Sequence, residues 1–225
     1  MFSVLRNYHQ LKKFVSSKGA DLFGVADVSA VKADFVLSET VKEKVDKAVC
    51  VGVGLSTLVL SEIEQEPTKL YFHHYRTANM FLDQLAFEAA RWIQKKGFYA
   101  LPVPASVIID WEGQRAHLSH KQIGCLAGIG WIGRNNLLVS EQFGAQFRMA
   151  TILTDMNLKT DHPLTRDCRD CGRCIEVCPV GAIQKQAKDF KHILCFEKLK
   201  SFQKQNIVGQ FICGICVKAC RGKNG

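Results

Sequence analysis

The chain has 225 residues and a formal net charge of +9, and 47% of its residues are hydrophobic. These values exclude a disordered or low-complexity protein and fit a chain that buries a core in one or two domains. The longest weakly polar run, residues 48–60, is shorter than the roughly 18 apolar residues of a spanning helix, so we expect no membrane segment. The N-terminal segment MFSVLRNYHQLKK has no apolar export signal, which predicts a cytoplasmic protein.

The first half of the chain is predicted to form helices and buried strands. Apolar residues spaced by three and four, each run followed by a glycine, predict helices over residues 4–18 and 70–96. Between them, β-branched residues punctuated by glycine predict strands over residues 23–28 and 47–55.

Less regular elements follow the long helix. Two prolines in residues 99–110 favour an extended segment at a sheet edge, and residues 121–127 are predicted to form a helical turn. Residues 136–140 and 147–154 have the pattern of two strands, and the turn-forming Gly144 between them predicts a hairpin.

These elements predict the domain organisation. Strands and helices are mixed without a regular β-α repeat, which predicts an α+β domain over residues 1–156. Residues 157–163 are predicted to link it to a cysteine-rich second domain over residues 157–225. Residues 159–225 hold 13 Lys and Arg against 6 Asp and Glu. A solvated lysine face is the favoured interpretation of this basic excess, and a patch for an acidic electron donor or a nucleic acid is the alternative.

The ten cysteines are unevenly distributed, and eight of them lie between Cys168 and Cys220. The first four of these form the run C-x2-C-x2-C-x3-C-P, which is the bacterial ferredoxin motif. In this motif three thiolates bind one 4Fe-4S cluster, and the fourth binds a neighbouring cluster. The run therefore predicts a ferredoxin-like domain that holds two 4Fe-4S clusters.

The remaining cysteines complete two predicted ligand sets, because an isolated cysteine precedes a second C-x2-C-x3-C group. With the fourth ligands crossed, the expected sets are Cys168, Cys171, Cys174 and Cys220 for one cluster, and Cys195, Cys213, Cys216 and Cys178 for the other. Two zinc sites of four thiolates each are the alternative, but zinc gives no reason for the proline-terminated run. Cys50 and Cys125 lie outside both sets and are expected to be small buried hydrophobes.

A glycine-rich segment, Gly128-Ile-Gly130-Trp131-Ile-Gly133, matches the dinucleotide fingerprint G-x-G-x-x-G. That fingerprint follows a strand and opens a helix, whereas here a predicted helical turn precedes the glycines and a predicted strand follows them. A loop whose backbone approaches a large flat cofactor, with Trp131 beside it, fits these residues better.

Several segments carry a family resemblance, in this order: GADLFGVADV, AGIGWIGRNNLLV, ILTDMNL, CGRCIEVCPVGAI, the isolated Cys195 and CGICVKAC. Over nearly its whole length the chain resembles the epoxyqueuosine reductase family, whose relatives include corrinoid-dependent reductive dehalogenases. The resemblance implies a cobalamin in a nitroreductase-like α+β domain, without a histidine on the cobalt and reduced by the adjacent cluster pair. The expected cofactor-binding residues are Gly128, Gly130, Trp131, Gly133, His117 and His120.

The resemblance also bears on substrate and partners. Epoxyqueuosine reductases that resemble this chain carry a C-terminal helical-repeat extension that contributes to tRNA binding, whereas this sequence ends five residues after Cys220. We therefore expect a small-molecule substrate, with tRNA as an alternative partner. The expected electron donor is a reduced flavodoxin or ferredoxin.

A reductive site of this kind needs a proton donor near the substrate. The resemblance implies an Asp at a strand end, and Asp110 is its nearest equivalent by order. The other candidates are the tyrosines and histidines of the long helix and of the loop before residue 121, namely Tyr71, Tyr75, His73, His74, His117 and His120. Asp110 and Tyr75 are the predicted catalytic residues.

Three hypotheses about function result. The leading one is an oxidoreductase in which two 4Fe-4S clusters deliver electrons to a cobalamin for reduction of an organic substrate. The second is an iron-sulfur electron-transfer or accessory protein without a corrinoid. The third has RNA as the partner of the lysines that follow Cys178.

Overall fold

A computed structural model describes residues 2–223 of the chain. Its helices are α1 (Phe2–Ser17), α2 (Glu39–Lys44), α3 (Thr57–Ser61), α4 (Lys69–Gln94), α5 (His120–Leu126), α6 (Arg173–Glu176), α7 (His192–Lys204) and α8 (Ile215–Ala219). Its strands are β1 (Leu22–Asp27), β2 (Lys47–Gly54), β3 (Ala100–Val103), β4 (Trp131–Ile132), β5 (Leu138–Val139) and β6 (Phe147–Thr154). This content confirms the prediction of a mixed α+β protein. No helix within residues 2–223 is long and apolar enough to cross a bilayer.

The chain divides into two compact units, and each unit is assembled from three separate stretches. The first unit contains the chain up to Val53 together with Asn79–Ile129 and Arg148–Leu164. The second contains Gly54–Ala78, Gly130–Phe147 and the chain from Thr165 onward. The units therefore differ from the contiguous segments 1–156 and 157–225 expected from the sequence, because two earlier stretches join the cysteine-rich segment.

The first unit is built on a four-stranded sheet with the strand order β1-β2-β6-β3. Strands β1 and β2 are antiparallel, as are β3 and β6. The two central strands, β2 and β6, are buried along nearly their whole length, which explains their almost continuous apolar sequence. Strand β3 lies at the sheet edge and carries Pro102, as expected for a proline that cannot donate a ladder hydrogen bond.

Helices α1 and α4 form as predicted, and each is followed by a glycine with positive φ. Gly19 has φ +100° and Gly97 has φ +87°, a conformation that ends a helix at little cost only in glycine. The apolar stripe of α1 is buried at Leu11 and Val15, whereas Leu5 is exposed. In α4 the buried residues run from Tyr71 to Ile93.

The predicted hairpin of residues 136–140 and 147–154 is wrong. Strand β5 pairs with β4, with Trp131 opposite Val139 and Ile132 opposite Leu138. Strand β6 instead occupies a central place in the four-stranded sheet. Strand β5 has only two residues, so it cannot cover a strand as long and as buried as β6. Local apolar pattern predicts each strand but not its partner.

The predicted linker, residues 157–163, belongs to the first unit and is attached to β1. The Asp161 backbone N–H donates to the carbonyl of Val25 at 2.7 Å, and the Val25 N–H donates to Asp161 Oδ2 at 3.0 Å. The Tyr8 hydroxyl donates to the same carboxylate at 2.9 Å. Burial, followed by the contact with Asp161, raises the pKa of Tyr8. The Asp161 carboxylate thus attaches this short polar segment to β1, an interaction that the composition of the segment does not predict.

The second unit packs short helices around an apolar centre. Helix α8 contacts α3 and α6. Gly214, which precedes α8, has φ +84°, and a Cβ there would lie 2.6 Å from side-chain atoms of both Ile63 and Tyr71. The Lys218 ammonium donates to the carbonyl of Ser61 at 3.0 Å. Helix α8, which carries a cysteine of the second group, is thereby fixed to residues 57–71.

Candidate iron-sulfur site

All eight clustered cysteines lie in the second unit, and all ten cysteines of the chain are free thiols. The first motif surrounds α6, and the second surrounds α8, with Cys195 in α7. Exposure varies along the first motif, because Cys171 is exposed whereas Cys174 is buried. Short helices and tight turns thus carry the thiols. The backbone of these turns is itself hydrogen bonded, and the Cys171 N–H, for example, donates to the Cys168 carbonyl at 3.0 Å.

The pKa of Cys220 responds to the first three cysteines of the chain's first motif. Burial raises the pKa of Cys220 to about 11, and the negative charges of Cys168, Cys174 and Cys171 contribute to the rise. Burial likewise raises the pKa of Cys174, with further contributions from Cys168 and Cys171. Electrostatic effects of this kind require neighbouring charges. These four sulfur atoms therefore form one group.

Cys178 is grouped with the later cysteines instead. Burial raises the pKa of Cys195, and the charge of Cys178 adds to the effect. Burial also raises the pKa of Cys213 to about 11, with contributions from Cys195 and Cys178. Cys216 has a pKa well above its usual value, caused by burial and then by the charges of Cys213, Cys195, Cys174 and Cys178. The charge of Cys178 thus acts on Cys195, Cys213 and Cys216, in the direction expected for the predicted second ligand set, and the set itself stays a prediction.

The donor chemistry of both groups fits 4Fe-4S clusters, which thiolates bind. Within residues 2–223, no group of three or more Cys, His, Asp or Glu side chains is already arranged to hold a metal ion. The raised pKa values favour the protonated thiols at neutral pH. Because thiolates are the ligands, iron binding must release protons here.

Arg134 holds the loop of the first motif through its backbone. The guanidinium Nε donates to the carbonyl of Lys185 at 2.6 Å. Nη1 donates to the carbonyls of Cys168, at 3.4 Å, and Cys171, and Nη2 donates to that of Arg169. The planar fork of arginine suits several carbonyls at once. The guanidinium thereby fixes the spacing of two predicted ligands and adds a positive charge beside them.

Two of the predicted cofactor-binding glycines, Gly130 and Gly133, pack closely against other residues of the chain. A Cβ at Gly130 would lie 2.0 Å from the carbonyl oxygen of Val139. A Cβ at Gly133 would lie 2.5 Å from Val139 Cγ2 and 3.6 Å from Cys168 Sγ. Close packing of the β4–β5 hairpin and of the first cysteine loop therefore explains both glycines. A corrinoid contact from this loop stays a prediction.

Trp131 and Gly128 have different surroundings. Trp131 is half-buried, and its indole Nε1 has no hydrogen-bond partner among the described residues. Gly128 belongs to the first unit, with φ +68°, and a Cβ there would lie 2.6 Å from the carbonyl oxygen of His162. Within the glycine-rich segment, the Trp131 indole N–H is thus a donor that stays available to a ligand.

The two predicted histidines of the first unit are held by protein atoms. His117 Nδ1 lies 3.0 Å from the carbonyl oxygen of Val36. His120 Nδ1 lies 2.8 Å from Thr151 Oγ1, and its Nε2 lies 2.8 Å from the carbonyl oxygen of Pro104. Burial lowers the pKa of His120 to about 4. Both ring nitrogens of His120 are engaged, so this side chain links α5 to the sheet.

We expect His120 to make the first unit less stable in acid. Its folded pKa of about 4 lies below the unfolded value of 6.5, so the unfolded chain binds more protons between these values. Stability from this residue is complete above about pH 6.5 and falls by about 2 kcal/mol between pH 7 and pH 5. Urea denaturation of the unloaded protein at both pH values measures the change.

The variant His120→Gln is expected to lose that part of the pH dependence, because glutamine does not titrate. His9→Gln, at an exposed position of α1, serves as the control and should keep the original dependence. An equal fall in unfolding free energy for His120→Gln and the unsubstituted protein would contradict the assignment.

The predicted catalytic residues lie in different units, Asp110 in the first and Tyr75 in the second. Asp110 Oδ1 accepts from the Gly113 N–H at 2.9 Å, and its backbone pairs with Arg115. The Tyr75 ring packs edge-on against Tyr71, with ring centroids 6.2 Å apart. Asp110 therefore stabilises a turn, and both residues stay candidate proton donors.

The other candidates in α4 are placed by packing. Tyr71 is a core residue, 3% exposed. His73 is exposed, and His74 Nε2 accepts from the Ser56 N–H at 2.9 Å. As expected from their adjacent positions, the two histidines have different environments.

Arg134 and Asn135 were missed as functional candidates by the sequence analysis. They follow the glycine-rich segment in the turn between β4 and β5. The signal that could have identified them is their place in the quoted segment AGIGWIGRNNLLV. Nothing in that segment alone shows that it approaches Cys168, which lies more than thirty residues later.

The sulfur groups and the mixed sheet define an iron-sulfur protein with an attached α+β unit. In agreement, a family model described as a 4Fe-4S binding domain matches residues 165–184. This match covers the first cysteine motif and confirms the predicted 4Fe-4S character of that segment.

Curated relatives are of two kinds. The epoxyqueuosine reductase of Bacillus anthracis is 30% identical over 140 residues, which cover 59% of this chain and 37% of the relative. The tetrachloroethene reductive dehalogenase of Dehalobacter restrictus is 33% identical over 107 residues, which cover 46% of this chain and 18% of the relative. The resemblance predicted from the sequence is confirmed, and the chain spans less than two fifths of either relative.

Solved structures of the same two kinds share the fold. A catabolic reductive dehalogenase in complex with 3-bromo-4-hydroxybenzoic acid superposes with a TM-score of 0.75 at 18% identity, covering 96% of this chain and 32% of that chain. The epoxyqueuosine reductase of Streptococcus thermophilus gives a TM-score of 0.66 at 16% identity, covering 94% of this chain and 65% of that chain. At these identities the likeness concerns the fold.

Proposed function

We propose that this chain is an iron-sulfur reductase that holds two 4Fe-4S clusters and a cobalamin and reduces an organic substrate. When bound, the clusters supply single electrons and the corrinoid supplies the metal at which the substrate is reduced. The observation that carries the proposal is electrostatic: the first three cysteines of the first motif act on Cys220, whereas Cys178 acts on Cys195 and Cys213, which supports two sets of four thiols with Cys220 and Cys178 exchanged. This exchange is the ligand pattern of paired ferredoxin clusters.

The corrinoid part of the proposal is supported by relatives and by one side chain. The chain is related to reductive dehalogenases, and one solved reductive dehalogenase with the same fold is described as B12-dependent. The Trp131 indole N–H is buried without a partner among residues 2–223, so it can donate to a polar group of a large ligand. Trp131 belongs to the second unit, and there this donor would orient the corrinoid.

Substrate reduction at such a site also needs a proton, and we propose Asp110 or Tyr75 as its source. Both are half-buried, as suits a group that meets solvent and substrate. A carboxylic acid or a phenol can deliver a proton to the product as electrons arrive. The substrate class we infer is a small organic molecule, because a reductive dehalogenase that shares this fold is described in complex with 3-bromo-4-hydroxybenzoic acid, and tRNA stays the alternative partner.

A surface of the second unit suits an acidic electron donor such as reduced flavodoxin or ferredoxin. Val177, Ile193 and Leu194 are 40%, 67% and 44% exposed and flank the predicted ligands Cys178 and Cys195. Lysines surround them in sequence, at positions 185, 188, 191, 198, 200 and 204. An apolar centre with a basic rim matches an acidic partner that must bring its cofactor near a cluster.

The eight reduced thiols favour a reducing compartment such as the cytoplasm.

Anaerobic reconstitution with iron and sulfide, followed by titration with hydroxocobalamin, tests the proposal. We expect about eight iron atoms per chain, from two cubane clusters. We also expect a saturable change in corrinoid absorbance at about one equivalent per chain, as for a single specific site. Full iron content without corrinoid uptake would contradict the reductase and leave the electron-transfer protein, which the self-packed Gly130 and Gly133 favour.

The variant Trp131→Phe provides a matched test of the corrinoid site. Phenylalanine keeps the aromatic ring and removes the N–H donor. We expect corrinoid affinity to fall about fivefold, the effect of one lost hydrogen bond. Iron content should stay the same, which separates this effect from loss of the clusters.

A further inference from the structure

The turn between β4 and β5 contains a buried polar group that the protein does not satisfy. Asn135 is only 5% exposed. Its Oδ1 accepts from the Leu137 N–H at 3.3 Å, but Nδ2 has no hydrogen-bond partner among the described residues. A buried N–H without a partner destabilises the folded chain. Such a cost is expected to be offset by a ligand that accepts the hydrogen bond.

The first cysteine of the ferredoxin motif lies beside this amide. The position that a Cβ of Gly133 would occupy is 2.8 Å from Asn135 Oδ1 and 3.6 Å from Cys168 Sγ. The amide and the thiol therefore lie on the same side of the glycine, and the missing side chain lets them approach. Glycine at 133 brings the turn against the sulfur group.

Arg134 keeps this approach fixed. Its guanidinium bonds the carbonyls of Cys168, Arg169 and Cys171 from the same turn. The turn and the cysteine loop are thus joined by several hydrogen bonds from the residue that immediately precedes Asn135. A side chain held in this way can act on the cluster with a defined geometry.

We propose that Asn135 Nδ2 donates a hydrogen bond to a sulfur of the cluster bound at Cys168 and thereby raises the reduction potential of that cluster. The inference rests on the proposed cluster-binding function. Hydrogen bonds to cluster sulfurs stabilise the reduced form, which carries more negative charge. Asn135 is then a positioning and tuning residue rather than a catalytic one.

The buried amide of Gln210 provides a matched control. Its Oε1 is also buried without a partner among residues 2–223. An oxygen of this kind accepts and cannot donate to a sulfur. Loss of this oxygen should therefore leave the potentials of the clusters unchanged, although it removes a half-buried side chain from the same unit.

Redox titration of the reconstituted protein, followed by EPR, tests the inference. Asn135→Leu removes the donor with little change in size. At the midpoint potential of the unsubstituted cluster, we expect the ratio of reduced to oxidised cluster to fall about fivefold in this variant, the effect of one hydrogen bond. Gln210→Leu should show no shift. A fully loaded Asn135→Leu protein with the unsubstituted potential would overturn the inference.

A second variant and a second readout guard against a loss of folding. Asn135→Asp keeps the Oδ1 contact with Leu137 and removes the N–H, so it should also shift the midpoint to a more negative potential. Pulsed EPR of the reduced protein labelled with 15N in asparagine should show a nitrogen coupling that Asn135→Leu lacks. Absence of that coupling in the unsubstituted protein would also overturn the inference. A protein that takes up no iron would instead overturn the proposed function itself.

Discussion

Replacing Cys178 by alanine is expected to remove the cluster of the second thiol group and to spare the first. Cys178 belongs to the first motif in sequence, but its charge acts on Cys195 and Cys213. The reconstituted variant should retain about four of about eight iron atoms. Iron analysis and EPR of the reduced protein measure the loss.

Cys125→Ala is the control for this experiment. Cys125 lies in the first unit, outside both thiol groups, and its loss should leave the iron content unchanged. Loss of only the cluster that is ligated by Cys168, Cys171 and Cys174 in the Cys178 variant would contradict the crossed arrangement. Retention of all iron would contradict Cys178 as a ligand.

Gly144→Ala is expected to have the second large effect. Gly144 has φ +58°, and a Cβ there would lie 2.1 Å from the carbonyl oxygen of Cys220. The neighbouring Ala145 N–H donates to the same carbonyl at 3.1 Å. A methyl group would therefore displace the backbone of a predicted cluster ligand. We expect a loss of unfolding free energy of at least about 3 kcal/mol and loss of the first cluster.

Gly181→Ala is a close control, because Gly181 lies in the same unit, has φ +60° and has nothing within 4 Å of its Cβ position. It should cost only the conformational strain of alanine at positive φ, about 1–2 kcal/mol. Urea denaturation and iron analysis of the two variants separate strain from the collision at Cys220. Equal losses in both variants would contradict the steric explanation.

The parts of the site that depend on the spacing of cysteines along the sequence were predictable. A cubane cluster requires thiolates at short fixed intervals, so the run from Cys168 to Cys178 indicates its chemistry directly. Helices α1 and α4 were predictable for a similar reason, since their apolar spacing and terminal glycines are local properties.

The parts that depend on distant partners were not. The pattern of residues 147–154 predicts a strand but does not show that this strand joins β2 and β3. By residue type, His120 suits a ligand-binding role. Only the fold shows that its two ring nitrogens lie beside Thr151 and Pro104. Arg134 likewise acquires its role from carbonyl groups that follow it by more than thirty residues.

The interleaving of the two compact units affects how the polypeptide can be made. The chain passes from one unit to the other five times, at Val53, Ala78, Ile129, Phe147 and Leu164. During synthesis the first unit lacks part of its sheet until β6 has left the ribosome, and the thiol-bearing unit waits for the last cysteine. Contacts between residues so far apart in sequence slow folding. Nascent chains therefore expose apolar strands and reactive thiols for most of translation. Chaperones and early metal delivery would protect these strands and thiols most during that period.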